Sequence, residues 1–360
     1  MENRFENLPS GTQDASQDTH NPSRLSRIQG SLIGGAVGDA LGYPVEFMSY
    51  SSICGTFGPE GIRSYWLSKN HGTAHFSDDT QMTIFTASGL LQWCAAQLQS
   101  GQAEDPVGYI YGAYLDWLHT QDPSFTDNPG TSALLDAREL FVRRAPGNTC
   151  LSALYSGEMG TMEHSLNDSK GCGGVMRVAP IGLVAHVLTD SWRHAAEAAA
   201  ITHSHPMGYI PAAALARLVE LGVSGAMSLP EAVQACCTEL PEWFPQQKRY
   251  AKNMAAQLRR AADLAAGDAP DYDNVVRLGE GWCGDEALAI AVYCCLRHAD
   301  SFDEAVIAAV NHGGDSDSTG AVAGNIMGAY LGIEAIGPQW TDDLELRDLI
   351  FGLARDLCGC

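Results

Sequence analysis

Apolar residues recur every three or four positions along most of this chain. The first such stripe consists of Leu25, Ile28, Leu32, Ala36 and Ala40, and its period is that of an α-helix with one buried face. Alternating apolar and polar residues, which are typical of strands, are nearly absent. The fold class predicted is therefore all-α. Further helices are predicted over 79–98, 106–119, 131–143, 172–188, 191–201, 206–224, 230–239, 246–266, 283–298, 302–311, 317–332 and 341–357.

The first 22 residues differ from the rest of the chain. They are polar, carry no period and include Pro9, Gly11 and Pro22, a composition that favours a flexible tail over a packed segment. Residues 23–360 show neither an internal repeat of 20–50 residues nor a linker-like stretch. We therefore expect residues 23–360 to form one compact domain.

Glycines occupy every fourth position in two of the predicted helices. A glycine inside a helix costs about 1 kcal/mol relative to alanine, so two such series need a structural reason. A spacing of four aligns the glycines in a stripe along which another backbone can approach closely. We therefore expect the two helices to cross at the centre of the domain, with each other as candidate partners. The series are Gly30, Gly34, Gly38, Gly42 and Gly320, Gly324, Gly328, Gly332.

Composition narrows the class of protein. The 360 residues include 21 Lys and Arg against 43 Asp and Glu, a formal net charge of −22. Nucleic acids and anionic membranes bind basic surfaces, so this balance argues against either partner. Charged residues make up 18% and apolar residues 45% of the chain, so the acidity does not imply disorder. No apolar run is long enough for a transmembrane helix, and residues 1–22 lack the apolar stretch of a secretory signal.

The cysteines favour a reducing compartment. There are eleven, an odd number, with two adjacent pairs (236–237 and 294–295) and no CxxC motif. This arrangement is typical of reduced and mostly buried cysteines rather than of a disulfide framework, and it predicts a cytoplasmic protein. Cys358 and Cys360 close the chain, where we expect a frayed end.

Two segments each place a pair of carboxylates and neighbouring hydroxyls directly before a predicted helix. One pair is Asp78 and Asp79, and the other is Asp315 and Asp317. One Asp or Ser suffices to cap a helix, and four carboxylates brought together repel one another unless cations lie between them. Because all the donors are oxygen atoms, Mg²⁺ or Mn²⁺ is favoured over Zn²⁺. We predict a binuclear metal centre, with helix capping alone as the alternative.

Three further features carry candidate chemistry. Pro44 ends the first predicted helix and places Glu46 on a loop, where its carboxylate could face a reacting water; an exposed loop residue without a role is the alternative. The glycine-rich run 171–174 opens a predicted helix and would present backbone N–H groups to a phosphate. Arg177 would either add charge to that phosphate site or pair within the structure.

These segments, in this order, resemble the ADP-ribosylglycohydrolase family, which includes dinitrogenase reductase-activating glycohydrolase. The resemblance implies an all-α, orthogonally packed single domain that holds two Mg²⁺ or Mn²⁺ ions. It also implies hydrolysis of the bond between ADP-ribose and a protein side chain, most often arginine. It spans about residues 25–335 and rests on Gly38–Gly42 with Glu46, Ser77–Thr80, Gly171–Arg177, Thr202 and His203, Gly281 and Trp282, and Gly314–Ser318.

The resemblance further implies roles for individual residues. Glu46 would act beside the metals as the acid/base or water-orienting group, with Asp79 and Asp317 as the other catalytic carboxylates. The metal ligands would be Ser77, Asp78, Asp79, Asp315, Asp317 and Ser318. The ADP-ribose cleft would be lined by Gly171, Cys172, Gly173, Gly174, Val175, Met176, His203 and Trp282.

Two other functions are compatible with these residues. Members of the family can act as immunity proteins against ADP-ribosylating toxins, and the tail of residues 1–22 could reach into the active site of such a toxin. A two-metal phosphohydrolase would need the same carboxylates but not the glycine-rich loop that faces the ribose. The expected partner is an ADP-ribosylated protein, joined in the immunity hypothesis by an ADP-ribosyltransferase toxin.

Overall fold

A computed structural model describes residues 22–68, 72–101 and 105–360, and helices are almost the only regular secondary structure in them. The 3-10 helices are Tyr43–Val45, Ala133–Asp136, Arg138–Leu140, Cys172–Gly174 and Ile333–Ala335. The α-helices are α1 Arg24–Gly42, α2 Tyr50–Phe57, α3 Asp78–Ser100, α4 Pro106–Gln121, α5 Asn148–Tyr155, α6 Ala179–Leu183, α7 Ser191–Ala200, α8 Pro206–Ser224, α9 Leu229–Trp243, α10 Lys248–Ala265, α11 Asp271–Leu278, α12 Gly284–Arg297, α13 Phe302–Val310, α14 Ser316–Leu331, α15 Pro338–Thr341 and α16 Arg347–Cys358.

The two glycine-bearing helices, α1 and α14, pack against each other in antiparallel orientation. A Cβ atom added at Gly30 would lie 2.4 Å from the carbonyl oxygen of Gly328, and one added at Gly38 would lie 2.0 Å from that of Gly320. No side chain fits at such distances, so glycine is required wherever the two backbones touch. The expectation that the two helices meet at the centre is confirmed.

The remaining helices surround this pair. Nearly every residue of α1 and α14 is buried, and α3, α8, α12, α13 and α16 pack against one or both of them. Two isolated bridges, Ala74 with Leu344 and Gly171 with Cys283, are the only strand-like pairings among the described residues. The predicted all-α, single-domain fold is confirmed, whereas the predicted tail lies almost wholly outside the described residues. Within those residues no helix combines the length and apolarity needed to cross a bilayer.

Two predicted helices are wrong, and several short helices, including α2, α5 and α11, were not predicted. The stretch 131–143 forms two 3-10 turns rather than a helix, because the buried carboxylate of Asp116 accepts the backbone N–H groups of Gly130 and Ser132 and holds an irregular loop. The stretch 172–188 contains only a 3-10 turn and the five-residue α6. The helices α2, α5 and α11 have eight residues each, too few for a period to stand out.

One cysteine prediction is also wrong. Cys94 near the end of α3 and Cys360 at the end of the chain form a disulfide, because α16 packs against α3 and brings the C-terminus to that helix. Cys360 is therefore tethered rather than frayed. The other nine cysteines are free, and Cys236, Cys237, Cys294 and Cys295 are buried in the way predicted for reduced thiols.

Candidate active site

The two carboxylate pairs meet where α3 and α14 begin. Ser77 is the N-cap residue of α3 and Asp315 is that of α14. The Ser318 hydroxyl donates to both carboxylate oxygens of Asp79, at 2.8 and 3.1 Å. The structure thus brings the predicted metal ligands together, all 5% exposed or less: Ser77, Asp78, Asp79, Asp315, Asp317 and Ser318.

Glu46 reaches the same cluster from a third element. The 3-10 turn Tyr43–Val45 follows directly on α1, and its end directs Glu46 towards α14. Carboxylate oxygens of Glu46, Asp315 and Asp317 all lie within 4.8 Å of one another. The Glu46 Oε2 atom is buried without a hydrogen-bond partner in the described structure. Glu46 is therefore placed to serve as a ligand as well as an acid or base, a role that the sequence analysis did not assign to it.

The negative charges of this buried cluster must be neutralised by protons or by cations. Burial raises the pKa of Glu46 to about 10, and the charges of Asp317, Asp315 and Asp78 add to that rise. Burial and like charge also raise the pKa values of Asp78, Asp79 and Asp315 well above their usual range. Buried carboxylates of this kind are stable only when neutralised. The unpartnered oxygen and the carboxylate donors fit a divalent cation of the Mg²⁺ or Mn²⁺ type.

Asp39 holds one half of the cluster in position. This fully buried carboxylate of α1 accepts the backbone N–H of Ser77 at 2.8 Å, the backbone N–H of Thr80 at 2.9 Å and the Thr80 hydroxyl at 2.6 Å. Burial raises its pKa to about 7, with a further rise from Asp317. No role was predicted for Asp39, although a carboxylate between two glycines of a buried helix is a signal that could have identified it.

A cleft of about 530 Å³ opens beside the carboxylates. Its predicted lining residues Gly171, Cys172 and Gly173 do face it, together with Met176, His203 and Trp282. Two other predicted residues face the interior instead. A Cβ added at Gly174 would lie 2.6 Å from the carbonyl oxygen of Gly208, and Val175 is fully buried. The cleft-lining part of the glycine-rich loop is thus shorter than predicted.

The loop is fixed by backbone pairing and by its lack of side chains. The N–H of Cys172 donates to the carbonyl of Trp282 at 3.1 Å, and that of Gly284 donates to Lys170 at 2.9 Å. A Cβ at Gly173 would meet His203 Cε1 at 2.7 Å. The Cys172 thiol donates to Asp315 Oδ2 at 2.7 Å. The loop therefore links the cleft wall to the carboxylate cluster.

Arg177 is a buried structural residue, and it is linked to the His203 ring through Thr202. The guanidinium is fully buried, lies 4.4 Å from the ring centre of Tyr114 and donates to the Thr202 hydroxyl at 2.7 Å. That hydroxyl lies 2.9 Å from His203 Nδ1; a hydroxyl proton donated to Nδ1 places the proton of a neutral ring on Nε2. Burial and the charge of Arg177 lower the pKa of His203 to about 3. Of the two roles considered for Arg177, the structural one fits this burial.

The opposite wall carries residues that the sequence analysis missed. Ala145 to Cys150 line the cleft, and the N–H of Gly147 donates to Asp78 Oδ2 at 3.2 Å. The only signal in the sequence is a Pro-Gly-Asn turn, which is common in loops. Across the cleft mouth the Phe47 and Trp282 rings stack, with centroids 5.3 Å apart and planes 19° from parallel. Phe47 adopts a positive φ of 66°, a strained conformation for an aromatic residue.

Comparison with known proteins agrees with this geometry. A family model described as ADP-ribosylglycohydrolase matches residues 20–359. The ADP-ribosylhydrolase ARH3 of Danio rerio is 29% identical, with 92% of this chain and 90% of that protein covered. The ADP-ribosyl-(dinitrogen reductase) glycohydrolase of Rhodospirillum rubrum is 25% identical, with 91% and 92% covered.

A solved structure described as an ADP-ribosylglycohydrolase-related protein complex superposes with a TM-score of 0.64 at 27% identity. The superposition covers 93% of this chain and 98% of the chain in that structure. The activity that these matches support is hydrolysis of ADP-ribosyl linkages. With a family model matched over nearly its whole length, the chain belongs to the ADP-ribosylglycohydrolase family.

Proposed function

We propose that this protein is a metal-dependent hydrolase that releases ADP-ribose from modified protein side chains, with arginine as the acceptor. The observation that carries the proposal is the meeting of five buried or half-buried carboxylates at one end of a cleft. The glycine-rich loop, His203 and Trp282 line the same cleft. Its volume of about 530 Å³ lies within the usual range for nucleotide-sized ligands.

The proposal includes two divalent cations. The carboxylates and hydroxyls of the two helix starts would hold them, and Glu46 is near enough to contribute a ligand. Bound there, Mg²⁺ or Mn²⁺ would supply the positive charge that the buried carboxylates lack and would attract the hydroxyl oxygens of a ribose.

Glu46 is the residue best suited to move protons. Its carboxyl group lines the cleft beside Asp315 and Asp317, where it would deliver a proton to the departing side chain. The resulting carboxylate would accept a proton from the attacking water. Cleavage of a glycosidic bond develops positive charge at the anomeric carbon, and the surrounding carboxylates stabilise that charge.

The other walls would bind the ADP portion of the substrate. His203 would donate from Nε2 to an oxygen of the ligand, since its Nδ1 faces Thr202. The stacked rings of Phe47 and Trp282 offer aromatic faces, which favour flat or cationic groups. Arginine as acceptor is supported by charge: a guanidinium leaving group is attracted to the carboxylates and to a chain of net charge −22.

The linkage is tested by measuring ADP-ribose release from arginine-linked, serine-linked and simple phosphoester substrates. Each is incubated with Mg²⁺, with Mn²⁺ and with a chelator. Release from the arginine-linked substrate at the highest kcat/KM, and only with metal, is the expected result. Preference for the serine linkage would overturn the acceptor assignment alone, whereas turnover of phosphoesters only would replace the whole proposal with a phosphohydrolase.

A role as an immunity protein is a second candidate, favoured by one observation. The net charge of −22 is far larger than the five carboxylates of the site can account for. The remaining negative charge would attract a basic protein partner. In this hypothesis residues 1–22, most of which lie outside the described structure, bind an ADP-ribosyltransferase toxin. Deleting them should weaken toxin binding and leave hydrolysis unchanged; unchanged binding would refute the hypothesis.

A further inference from the structure

A second cavity adjoins the cleft on the far side of Glu46. It encloses about 550 Å³, and its walls include Tyr43, Pro44, Trp66 and Leu67. Glu46, Phe47 and Ala145 line both spaces, so the two cavities share a wall that contains a catalytic carboxylate. Nothing in the mechanism described above uses this second space, which we name the outer cavity.

The walls of the outer cavity are apolar and aromatic. Phe47 is 70% exposed, Trp66 59% and Leu67 38%. The ring of Trp66 meets that of Phe57 edge-on with centroids 5.5 Å apart, so one part of the indole is packed while the rest faces solvent. Large aromatic side chains that are held in place but uncovered are typical of surfaces that bind a partner.

The outer cavity also has polar groups in its wall, namely the side chains of Tyr43, Glu46, Ser68 and His75. The Glu46 carboxylate lies on the shared wall, and His75 lies elsewhere on the wall with its Nδ1 3.0 Å from Glu345 Oε1. The Glu46 carboxylate beside the exposed ring of Phe47 suits a guanidinium, which pairs with the former and stacks on the latter. The aliphatic stem of arginine and an apolar neighbour would cover the remaining surface.

The position of the reacting bond indicates which part of the substrate would enter the outer cavity. If ADP-ribose fills the cleft, its anomeric carbon must lie beside the carboxylates, since only there can a carboxyl group reach the scissile bond. The departing side chain then points away from the ADP portion and past Glu46. The outer cavity begins at that point.

We propose that the outer cavity is the acceptor subsite, which binds the arginine stem and an adjacent apolar residue of the ADP-ribosylated target protein. This inference rests on the proposed function and extends it from the linkage to the sequence around the linkage. Trp66 is its specificity-determining residue, because it is the largest exposed side chain of the wall. Glu46 belongs to both sites.

The test compares three substrates: free ADP-ribosyl-arginine, a peptide with ADP-ribosyl-arginine between leucines, and the same peptide with glycines in place of the leucines. Trp66→Ala should raise KM for the leucine peptide by about tenfold and change KM for free ADP-ribosyl-arginine less than twofold. kcat should be unchanged for all three. Tyr155→Ala, which removes an aromatic that is 46% exposed and lies outside both cavities, should behave as wild type.

Equal effects on the three substrates, or no effect on any, would overturn the acceptor subsite. Leu67→Ser serves as a second variant if Trp66→Ala loses ADP-ribose binding, since such a loss would show a damaged cleft rather than a damaged subsite. A wild-type protein that releases no ADP-ribose from any of the three contradicts the proposed function itself and removes the basis of the subsite.

Discussion

Ser318 and Asp79 are joined by hydrogen bonds from one hydroxyl to both oxygens of one carboxylate, at 2.8 and 3.1 Å. The two residues are 239 positions apart in the chain and lie in the first turns of α14 and α3. This contact ties together the two halves of the site. It forms because the glycine stripes let α1 and α14 approach closely, while Asp39 of α1 holds the start of α3.

Removal of the Ser318 hydroxyl should uncouple the two halves. We expect Ser318→Ala to weaken Mg²⁺ binding by about 10- to 100-fold. The variant loses the Ser318 hydroxyl as a predicted ligand, and it also loses the hydrogen bonds that orient Asp79. Ser318→Thr keeps the hydroxyl and should retain most of the affinity. Isothermal titration with Mg²⁺ measures both variants, and equal affinities for Ala and Thr would show that the hydroxyl contributes nothing.

Thermal stability should depend on pH and metal together. The folded pKa values of Asp39, about 7, and Glu46, about 10, lie above the ordinary values of 3.8 and 4.5. Folding therefore takes up protons, so the metal-free protein is most stable below about pH 4 with respect to these groups and loses stability as pH rises through 7 and beyond. Added Mg²⁺ replaces the protons and should raise Tm by at least about 5 °C at pH 8.

At pH 5 the gain in Tm should be smaller, because protons already neutralise the cluster. Calorimetric scans at pH 5, 6.5 and 8, with Mg²⁺ and with a chelator, measure the dependence. A Tm that Mg²⁺ raises equally at all three values would contradict the assignment of the raised pKa values to the metal centre.

His203 should act as a neutral hydrogen-bond donor. Its pKa of about 3 keeps the ring uncharged above about pH 4, so ADP-ribose affinity should show no titration of this residue between pH 5 and 8. His203→Leu removes the donor and should weaken ADP-ribose binding by about tenfold, whereas His203→Gln keeps an N–H and should lose less. A binding transition near pH 6 that disappears in His203→Gln would refute the neutral state.

The glycine stripes should be intolerant of a single methyl group. A Cβ at Gly324 would lie 1.9 Å from the carbonyl oxygen of Gly34, so Gly324→Ala should lower the free energy of unfolding by about 3 kcal/mol or more. Gly108 in α4 has no atom within 4 Å of an added Cβ. Gly108→Ala should therefore raise that free energy by about 0.5–1 kcal/mol. Urea denaturation distinguishes the two, and equal stabilities would show that α1 and α14 can separate without cost.

The parts of the structure that follow from local pattern were predictable. The helical period predicted the fold class, and glycine at every fourth position predicted the meeting of α1 and α14. The wall from Ala145 to Cys150 was not predictable, because it is set by a contact between Gly147 and Asp78 that no local pattern encodes. The same holds for the stacking of Phe47 on Trp282.

The incorrect helix at 131–143 shows the limit of periodicity. Its apolar residues have helical spacing, but the buried carboxylate of Asp116 accepts backbone N–H groups at its start. The hydrogen bonds to Asp116 of α4 thus replace those that a local helix would make. The Cys94–Cys360 disulfide was not predicted for a similar reason, since it depends on the packing of α16 against α3.

In the proposed function, the carboxylates at the starts of α3 and α14 form a metal centre that cleaves ADP-ribosyl linkages. The most direct measurement is the initial rate of ADP-ribose release from an ADP-ribosyl-arginine protein by wild type with Mg²⁺, by wild type with a chelator, and by Asp317→Asn with an unchanged circular dichroism spectrum. We expect a loss of about 10³-fold or more in the second and third cases. Full activity in either case would contradict a metal-dependent centre.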